Sequence, residues 1–535
     1  MTKSVLILGA GLMQEPAINA AKKLGFKTFV IDANPNATAV PLADVFKQID
    51  LKDKEEILIY AGELLHNENL CAIFTAGTDF SASVSYAASS LKLPCHDYEA
   101  ALNASIKPRM RKCFKDAGVP SPEYFSLSQK DYTTQKIDFI LESLGFPCVV
   151  KPADNMGARG CRMIRSKDEA YKACKIAFEN SRTQTIILEE YMEGPEYSID
   201  ALVYNGTMTI TGFADRHIYY PPYFIETGHT MPTTVESSKK RELIECFARG
   251  VKALGLTCGA AKADIKYTKN GPQIGEIAAR LSGGYMSGWT FPYSSEINLT
   301  EQALLIACGM EPKQLLAKRN ILAASNEAFE LYEVPSKKVS AERAWISIPG
   351  KIKSIEGFEN ASRVKNVMNV FPRGMKEGDE IDFPRNNVQK CGNVISVNKD
   401  YETAVNSSQT ACSKMIIRLE PNNQKTEDFL YGVCLDDENG FPPSAYSVFD
   451  KVDMLNIEGD IPENTSVLKN LGNDLYSLLD TPQKDWNYLT ALETARRFDL
   501  YMPNHPKMDK KRFWKALLKG GLQAAIYVSD SSADI

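Results

Sequence analysis

The chain has 535 residues, of which 44% are hydrophobic and 24% charged; this is ordinary for a globular protein and too long for one hydrophobic core, so about three or four domains are expected. Its 62 basic and 67 acidic side chains leave a net charge of -5, which excludes a global positive field for nucleic acid and favours small ligands. No window reaches the roughly 18 apolar residues of a membrane span, and MTKSVLILGAGL is too short for a cleaved leader, so a cytoplasmic protein is expected.

Between residues 3 and 105, short apolar runs at 5–8, 28–31 and 72–74 alternate with helical patterns, the signature of a doubly wound parallel α/β sheet. Gly9, Ala10 and Gly11 open a helix after the first run and Asp32 follows the second. This is part of a dinucleotide fingerprint, but Gln14 stands at the third glycine position. Two glycines at a strand-helix turn need only backbone freedom, so no nicotinamide cofactor is expected. Twelve cysteines occur without a Cys-x-x-Cys pair, which points to reduced, buried thiols. Five histidines, none paired at ligand spacing, leave carboxylates as the metal ligands and favour magnesium.

Residues 1–105 are read as an N-terminal α/β domain and 106–325 as a mixed α+β domain with antiparallel hairpins. Residues 326–425 are read as a strand-rich subdomain and 426–535 as a mainly helical extension of unassigned role. In VVKPADNMGARG (149–160), Lys151 ends a strand, and Gly157 and Gly160 lie in a loop before the next strand at 161–164. Backbone N–H groups of such a loop can close over phosphates while the lysine neutralises them; a plain β-hairpin is the competing reading. No G-x-x-x-x-G-K-[ST] occurs, so a P-loop is excluded. IILEEYMEGPEYSID (186–200) reads as a buried strand, a linker and a second strand. The linker main chain can meet an adenine edge and Glu196 can accept from ribose hydroxyls, against the alternative of an acidic surface loop. Residues 215–232, DRHIYYPPYFIETGHTMP, are polar and aromatic without helical period and are read as a binding loop.

YTKNGP at 267–272 is a hairpin turn between Asp264 and Glu276. A two-residue Asn-Gly loop would set Asp264 against Ile277 and mix polar with apolar on each face. A three-residue loop, from Lys269 to a left-handed Gly271, sets Asp264 against Glu276 and Ala263 against Ile277, and this register is expected. Lys262, Asp264 and Glu276 then share one face, with Arg280 on it if the strand continues, as a metal-holding carboxylate pair beside cations or as a stabilising ion cluster.

In this order, Lys107, Lys151 with its glycine loop, EEYM at 189–192, Glu196, Asp264 and E-x-x-x-R at 276–280 resemble the ATP-grasp superfamily over residues 1 to about 425. The resemblance implies a parallel N-terminal domain ahead of two α+β subdomains that grip ATP. It implies Lys107 and Lys151 on phosphates under the Gly157–Gly160 loop, the main chain at Glu189 and Met192 on adenine, and Glu196 on ribose. It also implies Asp264 and Glu276 on Mg2+, with Mn2+ as the alternative. Many relatives carry Asn two residues after this Glu, where Ala278 stands here.

The form F-x-E-x-G-H-x-x-P at 224–232, followed by EIAAR and a Gly-Gly pair, is similar to the L-amino-acid ligase branch, as is the strand-rich region after residue 340. That similarity implies His229 beside an acyl phosphate, Arg280 on a substrate carboxylate, and small-molecule acid and amine substrates; it permits a homodimer. Two other readings stand beside it. One is bicarbonate activation, as in carbamoyl-phosphate synthetase and biotin carboxylase; the other is a nucleotide-binding scaffold or sensor without turnover, for which Ala278 speaks. Finally, KMDKKRFWKALLK at 507–519 fits either a helix packed on the protein or a membrane-surface contact.

Overall fold

The computed structural model describes residues 2–322, 328–432 and 440–533; the expected domain boundary between 325 and 326 lies outside them. The chain divides into two compact units, Met1–His217 with His229–Ser340, and Ile218–Gly228 with Ala341–Ile535.

The first unit opens with a parallel sheet in the order β3-β2-β1-β4, formed by β1 (Ser4–Leu8), β2 (Lys27–Asp32), β3 (Val45–Gln48) and β4 (Leu70–Phe74). All of β1 is buried, as expected of a strand covered on both faces. The edge strand β3, VFKQ, has only two apolar residues and escapes an apolar-run reading. The fingerprint-like turn is filled from within. Gln14 is fully buried; its Nε2 donates to Thr78 Oγ1 at 3.2 Å and its Oε1 accepts from the Ala76 N–H at 2.9 Å. Asp32 Oδ2 accepts from the Ala10 N–H at 2.7 Å, so the acid braces the turn it follows. The position of the fingerprint's third glycine is thus taken by a buried, hydrogen-bonded side chain.

Next comes an antiparallel sheet in the order β5-β8-β6-β7, from β5 (Tyr124–Ser128), β6 (Cys148–Pro152), β7 (Arg162–Ile164) and β8 (Thr185–Glu190). Helices Thr134–Leu144 and Lys167–Glu179 cover it through a core that includes Ile137, Leu141, Ala173 and Ile186. The chain continues through β9 (Glu196–Tyr204), β10 (Thr207–Tyr219), β11 (Ile225–Met231), β12 (Gly259–Thr268) and β13 (Gly271–Ala278). Four of these strands pair antiparallel in the order β13-β12-β9-β10. Strand alternation separates their faces. Tyr197, Ile199, Ala263, Ile265 and Ile277 pack with helix Ser237–Leu254 in one core, while Glu196, Ser198, Lys262, Asp264 and Glu276 take the other face.

The expected binding loop at 215–232 is mostly strand, because β10 reaches Tyr219 and β11 begins at Ile225. Its polar content suggested exposure, yet all of β11 is buried, and Ile225, Thr227 and Thr230 carry the β-branched signal of a strand.

In the second unit, strands Gly350–Glu356, Gly392–Asn398 and Ile416–Leu419 share one core with the C-terminal helices, since Ile352, Val394 and Ile417 pack in the cluster that holds Phe498, Phe513, Trp514 and Tyr527. Helix Gln424–Tyr431 runs across the expected boundary at 425, so the strand-rich segment and the extension form one packed body. Phe513 and Trp514 are fully buried and meet edge to face at 5.1 Å, which removes the membrane-surface reading of 507–519. Among the described residues, no helix is long and apolar enough to cross a membrane.

The C-terminal helix Lys510–Ala533 breaks at Gly521, whose φ of 65° is left-handed. A Cβ there would lie 2.6 Å from Oδ2 of the buried Asp485, so both backbone and space require glycine. Asp485 Oδ1 accepts N–H groups from Asn487 and Leu489 at 2.9 and 3.0 Å, but burial pushes its carboxyl up to about 7. A carboxyl raised in the native state favours folding below its unfolded value near 4 and loses that contribution as pH rises through about 7, with an upper bound on the order of 4 kcal/mol. Asp485→Asn is therefore expected to melt above the parent chain at pH 8.5, with the gap closing toward pH 5. A gap that stays constant across that range in thermal melts would contradict the assignment.

Candidate active site

The β12–β13 hairpin sets Asp264 opposite Glu276 and Ala263 opposite Ile277, the expected register. The extra residue, however, is not in the turn. Thr268 pairs with Gly271 across a two-residue loop, and a bulge at Gly275 then shifts the ladder between Ile265 and Asp264. A Cβ at Gly275 would meet Asp264 O at 3.1 Å and Met192 Cε at 3.5 Å, which favours glycine in the bulge. Gly271 is left-handed, with φ 92°.

Lys107 begins helix Lys107–Asp116 and is almost wholly buried. Its Nζ donates to Asn155 O, in the glycine loop, at 2.8 Å and lies 3.6 Å from Glu276 Oε2. Burial alone would lower the Lys107 pKa, but Glu276 and then Asp79 outweigh it and hold the ammonium above its ordinary range. For Glu276, burial raises the carboxyl, yet Lys107, Lys262, Arg280 and Lys151 together bring it down to about 2. Its side chain remains 35% exposed, so solvent screens part of this field.

Asp264 lies between two cations: Oδ2 pairs with Lys262, and Oδ1 is 2.8 Å from Arg216 Nη1 but has no aligned hydrogen bond. Arg216 also pairs with Glu196, whose other oxygen is 3.6 Å from Lys266. Lys266 donates to the Met192 carbonyl at 3.1 Å and stands 5.0 Å over the Tyr191 ring, so the linker after β8 is tied to Glu196 through one ammonium. The main chain of Glu189 lies inside the ladder, between Tyr124 and Val149, while its buried side chain holds Lys151 and Arg111. Burial would raise Glu189, but these two cations prevail and keep it below the usual carboxylate range. Gly157 and Gly160 are left-handed, with φ 67° and 68°, and a Cβ at Gly160 would sit 2.8 Å from Asn180 Cβ.

Arg280 is 9% exposed and follows the end of β13. Its Nη1 donates to Leu281 O at 2.9 Å, and its buried Nε has no hydrogen-bond partner among the described residues. Two residues on, Ser282 donates its N–H and Oγ–H to Oδ2 of the buried Asp200 at 3.2 and 2.7 Å, and burial pushes Asp200 up to about 6. His229 is fully buried within β11. Ala278 sits across from Lys262. Among the described residues, no group of three or more Asp, Glu, His or Cys side chains could hold a metal, so a cation here would have two carboxylates. The donor set is nevertheless that of a hard cation, with two opposed carboxylates and an unaligned buried oxygen on Asp264.

Arg111, Arg216, Lys266 and Asp200 are site residues that motif reading passes over. The period-two spacing of Lys262, Asp264 and Lys266, and of Glu196, Ser198 and Asp200, is the signal that could have found Lys266 and Asp200, and Arg216 lies across the ladder from Glu196. Arg111 had no such signal.

Residues 144–288 match the family described as ATP-grasp domain, and residues 344–420 the L-amino acid ligase C-terminal domain 2. Carnosine synthase 1 of Mus musculus is 23% identical over 334 residues, 58% of this chain and 40% of that protein. Alanine–anticapsin ligase of Bacillus subtilis is 28% identical over 259 residues, 44% of this chain and 53% of that one. The chain thus spans about half or less of these two relatives. The crystal structure of L-amino acid ligase from Bacillus licheniformis superposes with a TM-score of 0.65 at 17% identity, over 78% of this chain and 99% of that one, which establishes a shared fold.

Proposed function

Because the chain carries an ATP-grasp domain followed by an L-amino acid ligase C-terminal domain, we propose that it is an ATP-dependent carboxylate–amine ligase acting on amino-acid-like substrates. It works through an acyl phosphate and releases ADP and phosphate. The observation that carries this reading is the opposed pair Asp264 and Glu276 on one sheet face, with Lys107 reaching both Glu276 and the glycine loop.

In this reading Lys107 and Lys151 bind the phosphates of ATP beneath the loop of Gly157 and Gly160, the linker main chain at Met192 meets adenine while that of Glu189 is taken up in the sheet ladder, and Glu196 takes the ribose. Asp264 and Glu276 would hold Mg2+, or Mn2+, which supplies positive charge to the phosphate oxygens. The substrate carboxylate attacks the γ-phosphorus, ADP leaves, and an amine then displaces phosphate from the acyl phosphate. The two lysines neutralise charge that grows on the transferring group, and a closed glycine loop keeps water from the intermediate. Arg280 pairs with a substrate carboxylate, and His229 stands beside the acyl phosphate.

Ala278 favours one second reading, a nucleotide-binding scaffold or sensor, because it leaves the carboxylate pair without a third ligand. A screen of ADP release over amino acids, singly and in pairs, separates the two. The ligase reading expects release that depends on an acid and rises when an amine is added, with an amide formed. Nucleotide binding without ADP release from any pair supports the scaffold instead.

A further inference from the structure

Arg111 joins the two halves of the candidate nucleotide site, and we infer that it is a positioning residue that fixes Lys151 and Glu276 relative to one another; the inference rests on the nucleotide reading above. It lies one helical turn after Lys107 and has no exposed surface. Its Nε donates to Glu189 Oε1 at 2.7 Å, and the second oxygen of Glu189 pairs with Lys151. Its Nη2 donates to the carbonyl of Gly275 at 2.6 Å.

Gly275 is the bulge residue that shifts the ladder so that Asp264 comes to face Glu276. A bulge leaves its extra residue outside regular pairing, so its carbonyl needs another donor. Arg111 supplies that donor on one side and reaches through Glu189 to Lys151 on the other. A fully buried guanidinium is costly unless paired, and a well-packed apolar pair of the same volume is often at least as stable. What an apolar pair cannot do is point two N–H groups in fixed, divergent directions. Lysine keeps the charge but lacks that rigid fork.

The test uses the full chain with Arg111→Lys and Glu189→Gln. Hydrogen exchange of the β12–β13 hairpin amides is expected to accelerate in Arg111→Lys and to stay near the parent rate in Glu189→Gln, which keeps the Gly275 contact. ADP titrated calorimetrically with and without Mg2+ is expected to bind roughly tenfold or more weakly to Arg111→Lys, with the gain from Mg2+ reduced. Glu189→Gln is expected to weaken ADP while keeping that gain. If Arg111→Lys does not fold, the double change Arg111→Met with Glu189→Met removes the buried pair together and carries the same expectations. Parent-like hairpin exchange, or a parent-like Mg2+ gain, in the Arg111 variant overturns the inference. Failure of the parent chain itself to bind ADP defeats the nucleotide reading, and hairpin exchange alone then decides whether Arg111 pins the bulge.

Discussion

Glu276→Ala is expected to lower turnover by about three orders of magnitude or more while the fold survives. Glu276 is one of two carboxylates on the polar face of the β12–β13 hairpin and the ion partner of Lys107 at 3.6 Å. Without it, any cation at this face keeps Asp264 alone, and Asp264 is already held by Lys262 and near Arg216. Metal-assisted charge stabilisation contributes several kcal/mol to a transition state, and each 1.4 kcal/mol or so is tenfold in rate. The fold should persist because the side chain is 35% exposed and the hairpin ladder and the Arg111 contact to Gly275 involve the backbone. Circular dichroism checks the fold and ADP release the rate. Undiminished release in a folded variant removes the metal assignment.

Arg280→Lys is expected to raise the apparent constant for the organic acid by roughly one to two powers of ten and to leave that for ATP nearly unchanged. Loss of a hydrogen bond to a charged group costs about 1.5 to 3 kcal/mol, which converts to that range. Arg280 is buried beside the end of β13, and its Nε is a donor with no hydrogen-bond partner among the described residues. A planar guanidinium can present two parallel N–H groups to a carboxylate, whereas an ammonium cannot. The opposing view makes Arg280 a counter-charge for Glu276 and Asp200, both of which feel its field. In that case the variant should disturb nucleotide binding first. Weakened nucleotide binding with an unchanged acid constant, titrated on the purified variant, contradicts the substrate-clamp role.

Much of this architecture was legible because it is written in local periods. Apolar runs located β1, β2 and β4, while β3 was hidden by its polar edge composition. The requirement that like side chains share a face gave the Asp264–Glu276 register correctly, although a bulge at Gly275 produces it instead of a longer turn. Face consistency constrains the far end of a hairpin and is blind to where the extra residue goes. Residues 215–232 misled because polar side chains in a buried strand look like those of a loop. Arg111 was illegible for another reason: its partners lie 78 and 164 residues away, and no spacing along the chain encodes such a contact. The shared core of the second unit was likewise invisible, since Ile352 and Trp514 meet in one cluster through folding alone.

The central claim, phosphoryl activation of a carboxylate, is tested most directly with an amino acid carrying oxygen-18 in its carboxyl group. Attack of that carboxylate on the γ-phosphorus and later displacement by an amine transfer one labelled oxygen to the released phosphate. Mass spectrometry of phosphate from a reaction that forms amide and ADP should therefore show one oxygen-18 per phosphate. Unlabelled phosphate, or release of AMP in place of ADP, would contradict it.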